Sequence, residues 1–341
     1  MPKRIQTELL RTHTPALFRD AVERAAVALR AGQAVALPTE TVYGLAANAL
    51  DARAVARIYA IKGRPAHNPI IVHVASRAMA KRCVARWPNA AEKLMRAFWP
   101  GPLTLVLPKA PAIPAIVTAG GPTVGVRWPS HPFIRAVIRR CGFPLAAPSA
   151  NLSNRVSPTT AEHVRKQLAG RLRLIVDGGP SQVGIESTVL DLASTPPRVL
   201  RPGMVHEESL AAVLGEVRSG TPEERSGSGI LRSPGRLPKH YAPQAKIMVL
   251  NWRDAADLKS QISSLKLRRA RVWIVAHSRI PSGEGFAGVS VMPHEAGAFA
   301  RALYGEWHRC DEAGVEGIVM ESPPDLPEWA GIADRLKRAA A

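Results

Sequence analysis

Two short polar motifs, each set against an apolar run, constrain this chain most. Lys62-Gly-Arg-Pro65 is followed by Asn68-Pro69 and the run Ile70-Ile-Val-His-Val74, and far downstream Pro148-Ser-Ala-Asn151 closes another apolar stretch. Lys-x-Arg sets a point cation beside a planar guanidinium fork, a pairing suited to a polyphosphate. Ser-x-Asn directly after a strand places short neutral donors at the strand's carboxyl end, where open α/β sheets bind ligands. A third segment, Pro38-Thr-Glu-Thr-Val-Tyr-Gly-Leu45, lies upstream of both. Either short motif arises by chance on many basic surfaces; the three together are specific.

The spacing between the motifs predicts alternating elements. Residues 18–31 carry Phe18, Val22, Ala25, Ala26 and Leu29 on one helical face, with Gly32 as the stop. Gln33–Leu37 reads as a buried strand, and Asp51 caps a helix running to Ile61. Strands are expected at Pro69–Val74, Leu103–Leu107, Thr123–Arg127, Leu145–Ala147, Leu172–Val176, Ser187–Leu192 and Arg198–Leu200, with helices over 76–86, 89–98, 131–140 and 159–169. The irregular alternation favours a mixed sheet over a purely parallel one. There is no Gly-x-Gly-x-x-Gly and no Walker loop, so any nucleotide site has to be built differently.

From Ser219 the character changes: Ser226-Gly-Ser-Gly229 is permissive, and Pro234, Pro238 and Pro243 stiffen the stretch beyond it. Strands at Lys246–Leu250, Val272–Ala276 and Gly317–Met320, with helices over 253–266, 295–312 and 327–340, then predict a small three-layer α/β domain. The expected division is a catalytic domain over 1–206, a linker and candidate lid over 207–244, and the small domain over 245–341.

The chain of 341 residues is 46% hydrophobic, enough for two cored domains without disulfides. Cys83, Cys141 and Cys310 are far apart and odd in number, with no zinc-type spacing, so a reduced cytosol is expected. Met1 to His13 is charged and carries no secretory core, and no apolar run approaches the length of a membrane span. The net charge of +19 suits anionic partners, but scattered arginines also fit a genome-wide preference for Arg and Ala. At 5% aromatic residues, a stacking platform for single strands is disfavoured.

On the three motifs, and on the segment Ser233-Pro-Gly-Arg-Leu-Pro-Lys-His-Tyr-Ala-Pro243, the chain resembles the YrdC-like family in its long, two-domain form. The resemblance runs from about Ala21 to Val205 and resumes weakly from Ala245; the tail around Trp329 matches the family ending only from Ile332. It implies a twisted mixed α/β sheet around a concave cavity. It also implies a nucleotidyl-transferring reaction in which L-threonine, bicarbonate and ATP give threonylcarbamoyl-AMP and pyrophosphate. That product serves N6-threonylcarbamoyladenosine modification of tRNA, passing to a tRNA threonylcarbamoyl transferase; direct contact with tRNA is possible.

The resemblance implies roles residue by residue. Lys62, Arg64, Ser149 and Asn151 form the catalytic set. Thr41, His73, Arg127, Ala147 (through its backbone) and Ser187 form the L-threonine pocket. Arg64, Asn68, Thr123, Ser149, Ser157, Arg201 and Tyr241 contact ATP, which Mg²⁺ accompanies, held mostly by phosphates and water. Lys62 and Arg64 are expected to face a cavity rather than support the core. Read without the resemblance, they equally fit solvated charges at a helix C-terminus, Thr41 fits a loop cap, and His73 fits a satisfied strand histidine. Glu40 and Glu186 are the acids nearest the motifs, and no residue is singled out as general base or metal ligand. Lys239, His240 and Tyr241 are the polar tips of the candidate lid.

Two other classes compete. One is a YrdC-like module that grips double-stranded RNA or tRNA without this chemistry, marked by strong salt dependence and indifference to threonine. The other is a carbamoyl-adenylate enzyme of the hydrogenase-maturation kind, which carries zinc-finger cysteines and an acylphosphatase domain; this chain has neither motif.

Overall fold

The structure is a computed structural model, and it describes residues 5–219, 241–265 and 268–341. The chain divides into two compact units, one of Met1–Ser153 with Ser157–Arg236, the other of Asn154–Val156 with Leu237–Ala341.

The first unit is built on an 11-stranded mixed sheet. Its strands run in the order Glu8–Arg11, Leu174–Asp177, Val35–Leu37, Gly44–Asn48, Leu145–Ala146, Val72–His73, Thr123–Arg127, Leu103–Pro108, Thr188–Asp191, Arg198–Arg201 and Arg218–Ser219. The register that matters most is parallel: Val72 lies opposite Val126, and His73 opposite Arg127. The strand expected over Pro69–Val74 contracts to Val72–His73. Pro69 has no N–H to give a ladder, and the Ile70 N–H turns to Val117 O instead (2.8 Å).

Local chemistry explains the helices that bear on the site. Ala52–Lys62 starts at Asp51, whose carboxylate accepts the N–H groups of Arg53 and Ala54. It stops at Gly63, which adopts φ 60°, a left-handed conformation that costs other residues strain. Lys62 is thereby kept in the last turn, while Arg64 is swung out of the helix. Pro15–Arg30, capped by Thr14, buries Ala21, Ala25, Ala26 and Leu29. It meets the helix Pro132–Cys141 through an edge-to-face contact of Phe18 on Phe133, ring centres 5.2 Å apart. Residues 207–219, the first part of the expected linker, contain the helix Glu207–Leu214 and the short strand Arg218–Ser219, which pairs with Arg198 and Val199.

The second unit carries four parallel strands in the order Lys246–Leu250, Gly317–Glu321, Val272–Ala276 and Gly288–Val291. Its core gathers Met248, Trp252, Leu258, Ile262, Val272, Ile274 and Val319. At the carboxyl end of the sheet, buried Glu321 accepts the backbone N–H groups of His277, Ser278 and Arg279. A loop able to hold an anion is thus filled by the chain's own carboxylate. No described helix is long and apolar enough to cross a membrane.

Candidate functional site

The loop Pro38–Tyr43 is the hub of the first unit. Its backbone binds three distant segments. Val183 N–H donates to Glu40 O (2.7 Å) and Gly184 N–H to Thr41 O (3.1 Å). Tyr43 N–H donates to Pro158 O (2.8 Å), and Ala150 N–H to Tyr43 O (2.8 Å). The segments around Ser149–Asn151, Ser157 and Glu186–Ser187 therefore converge on one loop. Thr39 shapes that loop internally: its hydroxyl donates to Val42 O (2.6 Å) and accepts the N–H groups of Thr41 and Val42.

Arg127 is buried against this hub. Its Nε donates to Gly101 O (3.2 Å) and NH1 to Thr41 Oγ1 (2.8 Å). NH2 stands 2.7 Å from Glu40 Oε1, an ion pair in which no N–H is aimed well enough for a hydrogen bond. Glu40 Oε1 also accepts the Ser130 N–H (3.0 Å). Burial pushes the Glu40 carboxyl up, but Arg127 and the Ser130 N–H outweigh it and hold the group below the ordinary carboxylate range. His73, the register neighbour of Arg127, is fully inside. Burial first, and the Arg127 charge second, push its imidazole down to about 3, so the ring is neutral.

Lys62 and Arg64, expected to line a cavity, are instead buried, at 2% and 9% exposure. The physical reason is the set of carbonyl acceptors that surrounds each head group. The Lys62 ammonium folds back on the Ser149–Asn151 turn, donating to Ser149 O (2.6 Å), Asn151 O (2.6 Å) and Asn151 Oδ1 (3.1 Å). Burial and neighbouring Arg64 push this ammonium well below the usual lysine range. Ser149 Oγ donates to the same Asn151 Oδ1 (2.5 Å). Arg64 clamps the next turn: Nε donates to Asn68 O (3.0 Å), and NH2 to Asn68 Oδ1 (2.7 Å) and Pro69 O (2.6 Å).

A third cluster joins Ser187, Arg201 and Ser157. Arg201 donates to Ser187 O from Nε (3.1 Å) and NH2 (2.9 Å), and NH2 also reaches Ser187 Oγ (3.2 Å). Ser187 Oγ shares a hydrogen bond with Thr104 Oγ1 (2.8 Å), and Ser157 Oγ donates to Glu186 Oε1 (2.6 Å). Ala147 N–H donates to Ile71 O (3.1 Å), tying the Pro148–Asn151 turn to the edge of the Val72–His73 strand. Thr123 and Thr104 border a small, mostly apolar pocket with Ile70, Ile71, Gly125 and Val189. Gly125 keeps it open, since a Cβ there would stand 3.2 Å from Thr104 Cγ2.

Of the described residues assigned roles from sequence, all but Tyr241 lie in the first unit, grouped in these separate clusters. Tyr241 belongs to the second unit, where its buried ring packs on Tyr304 (6.0 Å between centres) under the Arg335 guanidinium (5.3 Å). Lys239 and His240, with the candidate lid up to residue 240, lie outside the described residues. Sequence reasoning did not single out Thr39 or Thr104, and it noted Glu40 only as a nearby acid. The alternation Thr39-Glu-Thr41 is the one local signal of a hydroxyl-braced loop.

Fold and clusters define an α/β protein with buried, mixed-charge polar sites on a large mixed sheet. A family model described as "Telomere recombination" matches residues 27–203. A second, described as "Threonylcarbamoyl-AMP synthase, C-terminal domain", matches residues 205–341. Threonylcarbamoyl-AMP synthase of Pyrococcus abyssi is 39% identical over 92% of this chain and 92% of its own length. The enzyme of that name from Bacillus subtilis is 41% identical over 94% and 92%. The crystal structure of Pyrococcus abyssi Sua5 complexed with L-threonine superposes with a TM-score of 0.88 at 36% identity, covering 97% of this chain and 96% of that one. The chain belongs to the threonylcarbamoyl-AMP synthase family.

Proposed function

We propose that this protein makes threonylcarbamoyl-AMP and pyrophosphate from L-threonine, bicarbonate and ATP. The observation that carries the reading is the match along nearly the whole of both chains to relatives named for this activity, together with the likeness to Pyrococcus abyssi Sua5 solved in complex with L-threonine. In the reaction the threonine amino group attacks the carbonate carbon and water leaves. The resulting carbamate oxygen attacks the α-phosphorus of ATP, and pyrophosphate departs. Binding three reactants together removes most of the entropic barrier, and burial shields the labile carbamate from water.

In this proposal Thr41, His73, Arg127, Ala147 and Ser187 surround the amino acid. Arg64, Asn68, Thr123, Ser149, Ser157 and Arg201 serve the nucleotide. Lys62 fixes the Ser149–Asn151 turn and lends its charge. Mg²⁺ arrives with the triphosphate, held mostly by phosphates and water. The product is handed to a tRNA threonylcarbamoyl transferase in a cytosolic setting, a reading supported by three unpaired cysteines.

The test is incubation with ATP, labelled bicarbonate and single amino acids, followed by chromatography for the acyl-adenylate and assay of pyrophosphate. Release should require both threonine and bicarbonate, and serine should react more weakly, by roughly 10–200-fold for the missing methyl. Equal release without threonine overturns the assignment.

A further inference from the structure

One carboxylate oxygen of Glu40 has no hydrogen-bond donor among the described residues. Its Oε1 is committed to Ser130 N–H (3.0 Å) and to Arg127 NH2 (2.7 Å). Its Oε2 is buried and has no hydrogen-bond partner among the described residues. The residue is 5% exposed, so bulk water does not satisfy that oxygen. A buried, ionised oxygen left bare is costly, and a persistent one marks a missing ordered water or ligand.

The surrounding charges say which ligand. Arg127 is balanced by Glu40, and His73 beside it is neutral, so the cluster carries no net charge. A bare carboxylate approaching Arg127 would meet the Glu40 anion as well. An amino acid is also neutral overall, with its positive and negative ends held a short distance apart, and it matches both members of the pair at once. Arg127 NH2 lacks a hydrogen-bonded acceptor, which leaves it an N–H for the ligand's carboxylate.

We propose that Glu40 Oε2 receives the ammonium group of the amino-acid substrate, so that Glu40 and Arg127 form a two-pronged clamp for a zwitterion. This rests on the amino-acid-dependent reaction proposed above and deepens it. The clamp orients the nitrogen, which attacks the carbonate carbon once the ammonium has released one proton to solvent; a second N–H proton then leaves with the bicarbonate hydroxyl as water. Glu40 is an anchor rather than the base, because Arg127 and the Ser130 N–H keep its carboxyl below the ordinary range. Its isostere glutamine would preserve the Ser130 contact while removing the charge.

The test is calorimetric binding of L-threonine and of 3-hydroxybutanoate, which lacks only the amino group, to wild-type protein and Glu40→Gln. Wild type should prefer L-threonine by at least about tenfold, the usual scale for one charge-assisted contact. Glu40→Gln should narrow that preference to within about threefold, raising KM for threonine while KM for ATP holds. If the variant weakens both ligands by the same factor, Glu40 only steadies Arg127 and the clamp is overturned. Equal binding of both ligands by wild type overturns it too, even if the variant does not fold. If wild type binds neither ligand and releases no pyrophosphate, the amino-acid reading falls and the clamp falls with it.

Discussion

Lys62 binds Asn151 twice, at the main-chain oxygen (2.6 Å) and at the side-chain Oδ1 (3.1 Å), and its remaining bond goes to Ser149 O (2.6 Å). A lysine whose three donors all end on one turn is a structural tie as well as a charge. Its position follows from Gly63, which ends the helix and holds Lys62 in the final turn.

Lys62→Met should therefore lower stability as well as turnover. Three acceptors would be left without their donor, each charged hydrogen bond being worth about 1.5–3 kcal/mol. For a domain of this size, ~1 kcal/mol corresponds to ~2–4 °C. A fall of at least about 5 °C in melting temperature is expected, with at least about tenfold slower pyrophosphate release. A variant that melts with wild type would show that the tie carries no load.

His73 should be silent across the physiological range. Burial, and then Arg127, push its pKa from 6.5 to about 3. A base whose folded pKa is depressed loses stability as pH falls, because the unfolded chain binds the proton first. Its contribution is complete above about 6.5 and shrinks between there and about 3. NMR of the ring carbon should show no titration of His73 between roughly pH 5 and 8. A midpoint near 6.5 would mean that the ring is open to water.

Much of this was legible in the sequence where one residue decides a local event. Asp51 and Gly63 announce the ends of their helix, and Thr160 caps Ala161–Leu168 within the expected helix. The mixed character of the sheet also followed from irregular alternation. What stayed hidden depends on tertiary pairing. Gly44–Asn48 is a buried strand of Gly, Leu, Ala and Asn, with no β-branched residue to mark it. Glu8–Arg11 is an exposed edge strand whose single ladder partner lies far along the chain. Gly288–Val291 is too short to stand out from loop. At the site, Lys62 and Arg64 read as surface charges because nothing local reveals that the Ser149–Asn151 and Asn68–Pro69 carbonyls surround them. Glu40 is distinguished only by its burial against Arg127, which no spacing encodes.

Glu321 should hold the second unit together in a pH-dependent way. Burial pushes its carboxyl up, but the N–H groups of Ser278, His277 and Arg279 outweigh that and lower it from 4.5. An acid with a depressed folded pKa contributes fully above its unfolded value and loses that contribution as pH falls through the folded one. Glu321→Gln should cost on the order of 2 kcal/mol at neutral pH. Urea melts should show the gap between variant and wild type closing as pH drops below about 4.5. A gap unchanged at acid pH would mean that shape, not charge, fills the turn.

Tyr241 lets packing and nucleotide contact be tested separately. It sits at φ 63°, only 1% exposed, with its ring between Tyr304 and the Arg335 guanidinium. The next residue, Ala242, donates its N–H to Asn154 O (3.0 Å) within the same unit. Removing the ring should open a cavity and cost on the order of 3 kcal/mol, the scale for large aromatic truncations. Tyr241→Ala should then speed hydrogen exchange in Lys246–Leu250 and Gly317–Glu321, while Tyr241→Phe should keep both strands protected. The hydroxyl is the part that a nucleotide role would need. If Tyr241→Phe keeps the protection and raises KM for ATP at least about tenfold, the residue also serves the nucleotide; if KM holds, packing in the second unit accounts for it.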